Sequence, residues 1–142
     1  VSSSPAAKAT SIADLTGLEI GAATGTTSLK AVEELIAPAS GAQVFNSNDD
    51  AKLALEAGQV DAIVVDLPTA YYITGVELDG GVIVGQLPDV AGETDSWGLT
   101  LGKDSPLTGR LTEAVDALRA SGKLQEITDA WLGAGAGVPL LK

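Results

Sequence analysis

The segment Ala23-Thr24-Gly25-Thr26-Thr27-Ser28 gathers four hydroxyl side chains around one glycine, after an apolar run and ahead of a helix-like stretch. Backbone N–H groups at a helix start attract an anion, and hydroxyls add further donors. Gly25 allows the backbone to approach a ligand closely. No Gly-Lys-Ser/Thr closes the turn, so it is not a P-loop. Gly17, Gly21 and Gly25 are wrongly spaced for a dinucleotide fingerprint. An ordinary Thr/Ser helix cap also accounts for these residues. The second chemical feature is Asp66, which follows the apolar run Ile63-Val64-Val65 and precedes Leu67-Pro68. It reads either as an N-cap or as a carboxylate aimed at a cation.

The rest of the composition narrows the chemistry. The chain has no His, Cys or Met. It can build no disulfide, thiolate nucleophile, His-assisted triad or zinc cluster of its own. Eight basic against nineteen acidic residues give a net charge of −11. That field repels a phosphate backbone and an anionic membrane surface. Asn46–Asp50 lacks the oxygen ligands and the glycine of an EF-hand. The reading calls for no metal, no cofactor and no catalytic residue.

The elements that must position the two features alternate between β-rich and helical patterns, which points to an α/β fold with a mainly parallel, three-layer sheet. Strands are expected at Leu18–Ala22, Gln43–Phe45, Ala62–Val65, Val82–Gln86 and Trp97–Leu101. Leu29, Val32, Leu35 and Ile36 share a helical face that Pro38 ends. Ser47 and Asp50 have capping-box-like spacing, with Asn48 a rival cap, before a helix expected to turn Leu53 and Ala57 inward, with Gly58 closing it. Pro68 suits the first turn of a helix running through Tyr71 and Tyr72 to Gly75. Residues 87–96 read as a linker with a solvated acid run. Two helices follow, with stripes Leu107, Leu111, Val115, Leu118 and Leu124, Ile127, Trp131. Tyr71 and Tyr72 are expected at the helix–sheet boundary, and Trp97 and Trp131 in the core. Residues 1–10 form a polar extension and 133–142 a loop-like tail. The chain does not begin with Met, which implies that sequence once preceded Val1. No apolar run approaches the ~20 residues of a membrane span.

In a doubly wound sheet, strands one and three are commonly neighbours, and ligands bind beyond their carboxyl ends. The Thr/Gly turn and Asp66 would then face one crevice, one supplying donors and the other a carboxylate. A molecule carrying a carboxylate and an ammonium a few ångströms apart satisfies both. An α-amino acid is the simplest.

Several phrases, in order, carry a family resemblance. They are Asp14-Leu15-Thr16-Gly17-Leu18-Glu19-Ile20-Gly21, Thr24-Gly25-Thr26-Thr27-Ser28, Asn48-Asp49-Asp50-Ala51, Gly58-Gln59-Val60-Asp61-Ala62 and Asp66-Leu67-Pro68-Thr69-Ala70. Near the end come Gly122-Lys123-Leu124-Gln125-Glu126-Ile127 and Trp131-Leu132-Gly133. Over about 130 residues, the chain resembles the polar amino-acid family of solute-binding proteins, the receptors that feed ABC importers. The resemblance implies two α/β lobes closing on a ligand, with residues 11–86 as the second lobe. Residues 97–132 would be the strand and helices that rejoin the first. The N-terminal part of that lobe, which in the family supplies an Arg for the ligand carboxylate and covering aromatics, has no counterpart here. By position, Thr26 and Thr27 resemble the donors to the α-carboxylate, Thr24 and Gly25 shape their turn, and Asp66 resembles the acceptor of the α-ammonium. Ala23 and Val65 stand where some glutamine-type binders carry Lys and His, which argues against glutamine-type selectivity.

The function implied is the amino-acid-binding component of an importer, present as about half of the receptor. It would work outside the cytoplasm with an ABC permease as partner of the full-length protein. Two other readings stay open. One is an isolated or engineered lobe without a transport role, possible as a homodimer that exchanges its C-terminal segment. The other is an enzyme such as the cyclohexadienyl dehydratases on this fold, for which the turn and Asp66 offer no second titratable group.

Overall fold

Three short parallel strands carry the larger part of the molecule. In the computed structural model, which describes residues 1–91, 96–132 and 137–142, Ile20–Ala23 (β1) lies between Gln43–Phe45 (β2) and Ala62–Ile63 (β3). The chain divides into two units, Val1–Asp95 with Val138–Lys142, and Ser96–Gly137. Residues 92–95 of the expected linker and 133–136 of the expected tail lie outside the described residues.

In the first unit, side chains alternate across the sheet as a pleated strand requires. Ile20, Ala22, Ala62 and Val64 join one apolar cluster, while Phe45, Ile63 and Val65 pack against another. Gly21 is crowded by the Phe45 ring, whose Cε2 lies 2.7 Å from where a Cβ would stand. A side chain there would have to displace the Phe45 ring. β2 occupies the residues expected of it, whereas β1 begins at Ile20, because Leu18 belongs to the turn that donates its N–H to Leu15 O at 3.1 Å.

The first cluster is closed by the helix expected from Leu29, Val32, Leu35 and Ile36. Thr27–Ala31 (α1) runs on into a wide π-type turn, Val32–Ile36, which buries Val32 and Ile36 completely. Ala37 ends it in the left-handed conformation, at φ 46°, before Pro38. The second cluster receives Asn48–Glu56 (α2), capped by Ser47, whose Oγ accepts the Asp50 N–H at 3.1 Å. The expectation that Leu53 and Ala57 point inward is corrected here. Ala51, Ala54 and Leu55 face the sheet, and Leu53 is 57% exposed. Leu53 lies two residues from Ala51, about 200° around the helix and so on its far side.

Leu67–Tyr72 (α3) and the π-type turn Ile73–Glu77 complete this layer, with Ile73 and Leu78 buried beside Ala54, Leu55 and Val60. Lys52 and Glu77 join the two helical segments through a part-buried ion pair of 3.0 Å. Glu77 beside it holds the Lys52 ammonium above its ordinary pKa. Tyr71 is partly buried and its hydroxyl lies buried without a hydrogen-bond partner, while Tyr72 is exposed.

Both ends of the chain are more structured than their sequences suggest. Ser2 N–H donates to Gly80 O at 2.8 Å and Ser4 Oγ donates to Asp61 O at 2.6 Å. Ala6, within the supposed polar extension, is 1% exposed in the first cluster. Asp14 accepts the N–H groups of Thr10 and Ser11, each at 2.9 Å, and these bonds hold its carboxyl below the usual range. At the other end, Leu140 pairs in parallel with Gln86, and Leu141 is 3% exposed. The stretch expected as strand Val82–Gln86 joins a ladder only at Gln86, through Gln86 N–H to Pro139 O and Leu141 N–H to Gln86 O, both 2.8 Å.

The second unit contains Thr108–Ala120 (α4) and Lys123–Trp131 (α5), which touch each other across the turn at Gly122. The expected strand Trp97–Leu101 has no ladder partner among the described residues. Trp97 and Trp131, expected in the core, are 67% and 74% exposed. An apolar stripe becomes core only when a second apolar surface lies across from it. No described residue of this unit is buried.

The close seat of Leu141 over Gly85 yields a test. A Cβ on Gly85 would stand 2.6 Å from Leu141 Cγ and 2.9 Å from Pro139 O. Gly85→Ala is expected to destabilise the protein by about 1–3 kcal/mol in urea unfolding, as overpacking does. Combined with Leu141→Ala the losses should be less than additive, since the second change removes the atoms the first one strikes.

Candidate functional site

The Thr/Gly turn begins where β1 ends. Thr24 N–H donates to Phe45 O at 2.8 Å, which ties the turn to β2, and Gly25 adopts a φ of +70° that reverses the chain at low cost. Thr26 then caps α1. Its Oγ1 accepts the Leu29 N–H at 3.1 Å and donates its own proton to Ala23 O at 2.7 Å. The Thr26 hydroxyl proton is thereby committed inside the protein. The Thr24, Thr27 and Ser28 hydroxyls and the N–H groups of Gly25, Thr26, Thr27 and Ser28 have no hydrogen-bond partner among the described residues. The first N–H groups of a helix lack intrahelical acceptors by geometry.

Asp66 stands three residues beyond the carboxyl end of β3. It is exposed and caps α3: Oδ1 accepts the Thr69 N–H at 3.1 Å, and Oδ2 accepts the Thr69 hydroxyl at 2.7 Å. Both features are thus helix caps, as the plainer reading of the sequence holds. Capping does not exhaust them, because each carboxylate oxygen of Asp66 keeps a free lone pair.

The sheet sends both features to the same end. β1 and β3 are adjacent and parallel, with Gly21 opposite Ile63 and Val64 N–H donating to Gly21 O at 2.9 Å. The pairing ends there, and because the two strands are parallel the Thr/Gly turn and Asp66 both follow them at the same end of the sheet. One edge therefore presents free N–H donors at a positive helix end and a carboxylate. Thr69, not singled out from the sequence, stands at the N3 position of that cap and donates to Asp66 twice. No cluster of three or more acidic residues able to hold a metal occurs among the described residues, and no helix among them is long and apolar enough to cross a membrane.

Comparison with known proteins gives a consistent picture. No protein-family model matches the chain. An L-arginine-binding protein of Pseudomonas aeruginosa is 34% identical over 125 residues, covering 84% of this chain and 48% of that protein. The crystal structure of the arginine-, lysine-, histidine-binding protein ArtJ from Geobacillus stearothermophilus superposes with a TM-score of 0.58 at 26% identity, covering 89% of this chain and 54% of the other. A substrate binding protein of an ABC uptake transporter from Streptococcus pneumoniae, with bound histidine, has a TM-score of 0.55 at 21% identity, covering 92% and 55%; it shows the fold alone. The chain spans about half the length of these relatives. Over that half it shares the sequence pattern and fold of polar amino-acid-type solute-binding proteins.

The caps supply a control for any binding experiment. Asp66→Ala is expected to lower stability by about 1 kcal/mol through loss of the N-cap, whereas Asp66→Asn, also a good cap, should stay within about 0.5 kcal/mol of the parent. Urea unfolding of the two variants checks this.

Proposed function

We propose that this chain is an amino-acid-binding module and that the protein serves as the substrate-binding component of an ABC importer. The observation that carries the reading is the parallel β1–β3 pair, which is followed at one end of the sheet by free N–H donors after one strand and by the Asp66 carboxylate after the other. In this reading the ligand α-carboxylate lies against Gly25, Thr26 and Thr27, with Thr24 shaping the turn, and the α-ammonium lies against Asp66. Thr26 contributes its N–H, its hydroxyl being engaged with Ala23. Arginine, lysine and histidine appear in the names of the relatives, which makes L-arginine the first ligand to try. The protein would act outside the cytoplasm beside an ABC permease, and binding without catalysis is its task.

Binding by this chain alone should be weak, with a Kd of about 1 mM, because one jaw supplies only part of the contact that must offset lost ligand freedom. Calorimetric or NMR titration is expected to show saturable L-arginine binding that Asp66→Asn abolishes, although that variant keeps its cap. No response to L-arginine, L-lysine or L-histidine would overturn the reading. So would equal binding by parent and Asp66→Asn.

A second reading, exchange of the C-terminal segment between two copies, draws support from the second unit. Leu99, Leu107, Leu118 and Ile127 are exposed there along with both tryptophans, more apolar surface than a soluble monomer ordinarily leaves in water. Light scattering should give twice the monomer mass if exchange occurs. A monomer at all concentrations excludes it.

A further inference from the structure

We propose that Thr69 is a positioning residue for ligand recognition: it grips the Asp66 carboxylate at both oxygens and fixes it for the ammonium of an α-amino acid. This rests on the function proposed above and assigns a role to a side chain that need not touch the ligand.

The geometry is specific. One residue supplies both donors, the Thr69 N–H to Oδ1 at 3.1 Å and the Thr69 hydroxyl to Oδ2 at 2.7 Å. The N–H bond alone is an ordinary N-cap and would leave Oδ2 free to swing. The hydroxyl bond closes a second point of attachment, and a charge-assisted O–H···O⁻ bond of that length is a strong one. Asp66 is exposed, so packing does not immobilise its side chain. Without Thr69 Oγ1 the carboxylate would sample several rotamers and lose that freedom on binding. With it, that entropy is spent on folding, and the remaining lone pairs keep a fixed direction.

Thr69 itself is held. Pro68 precedes it in the first turn of α3, and Thr69 O accepts from the Ile73 N–H, as Ala70 O also does. The backbone donor therefore survives replacement of the side chain, which makes Thr69→Val a clean removal of the hydroxyl. Thr69→Ser restores the hydroxyl with less bulk.

The test uses the full chain, with two ligands and one ligand-free readout. L-Arginine carries the α-ammonium; 5-guanidinopentanoate has the same carboxylate and guanidinium without it. Thr69→Val is expected to weaken L-arginine binding roughly five- to tenfold, the cost of ordering one side chain on binding. The same variant should leave 5-guanidinopentanoate within about twofold, and Thr69→Ser should bind L-arginine within about twofold of the parent. Without ligand, three-bond couplings at the Asp66 β-protons should report one rotamer in the parent and in Thr69→Ser, and averaging in Thr69→Val. The inference fails alone if Asp66→Asn abolishes L-arginine binding and Thr69→Val leaves it intact, or if Thr69→Val weakens both ligands equally. Couplings that do not differ between parent and Thr69→Val also overturn it. If the parent does not bind L-arginine or another α-amino acid, the proposed function falls and this role falls with it.

Discussion

The lateral pairing of β1 with β3 is the constraint from which the rest follows. Both strands run in one direction, so both deliver their following residues to the same edge, and each is followed by a helix whose N-terminus opens there. An antiparallel pair would send the Thr/Gly turn and Asp66 to opposite ends. The register is held by packing on both faces, with Ile20 and Ala22 in one cluster and Ile63 and Val65 in the other. A slip by one residue would exchange the faces and bury the wrong side chains. Gly21 permits the close approach of Phe45 that keeps β2 against β1.

The candidate site is built from groups that the fold needs anyway. Thr26 and Asp66 satisfy helix N–H donors, and the donors left over at α1 are those that capping cannot reach. This double use explains why neither feature is diagnostic alone. A cap requires a polar side chain and a free helix end, which are the ingredients of a small anion or cation site. What separates the two uses is the neighbour across the sheet, supplied by chain topology.

The sequence made local features legible and left the long-range ones hidden. The Ser47 cap, the β2 run and the Val32–Ile36 face depend on neighbours within a turn or two, and the structure places them where the pattern puts them. The inward face of α2 was misread because its buried residues include two alanines, which carry little pattern, whereas the conspicuous Leu53 faces outward. Ala6 and Leu141 gain their burial from partners far along the chain. The segments at Val82–Gln86 and Trp97–Leu101 have strand-like composition, but a strand exists only with a partner. For the same reason the tryptophans on the second unit read as core and lie exposed. The proposed zwitterion site was legible as a pair of residue types at one expected sheet end, while the commitment of the Thr26 hydroxyl and the Thr69 bonds to Asp66 emerge only from hydrogen-bond geometry.

The most direct measurement of the central claim is a residue-resolved one. In a ¹H–¹⁵N NMR titration of the whole chain with L-arginine, the amides of residues 24–28 and of Asp66, Leu67 and Thr69 are expected to shift together along one saturable isotherm, because one ligand bridges both strand ends. Shifts confined to only one of these segments, or centred on α4 and α5 with both strand ends silent, would contradict a shared site at the β1–β3 edge.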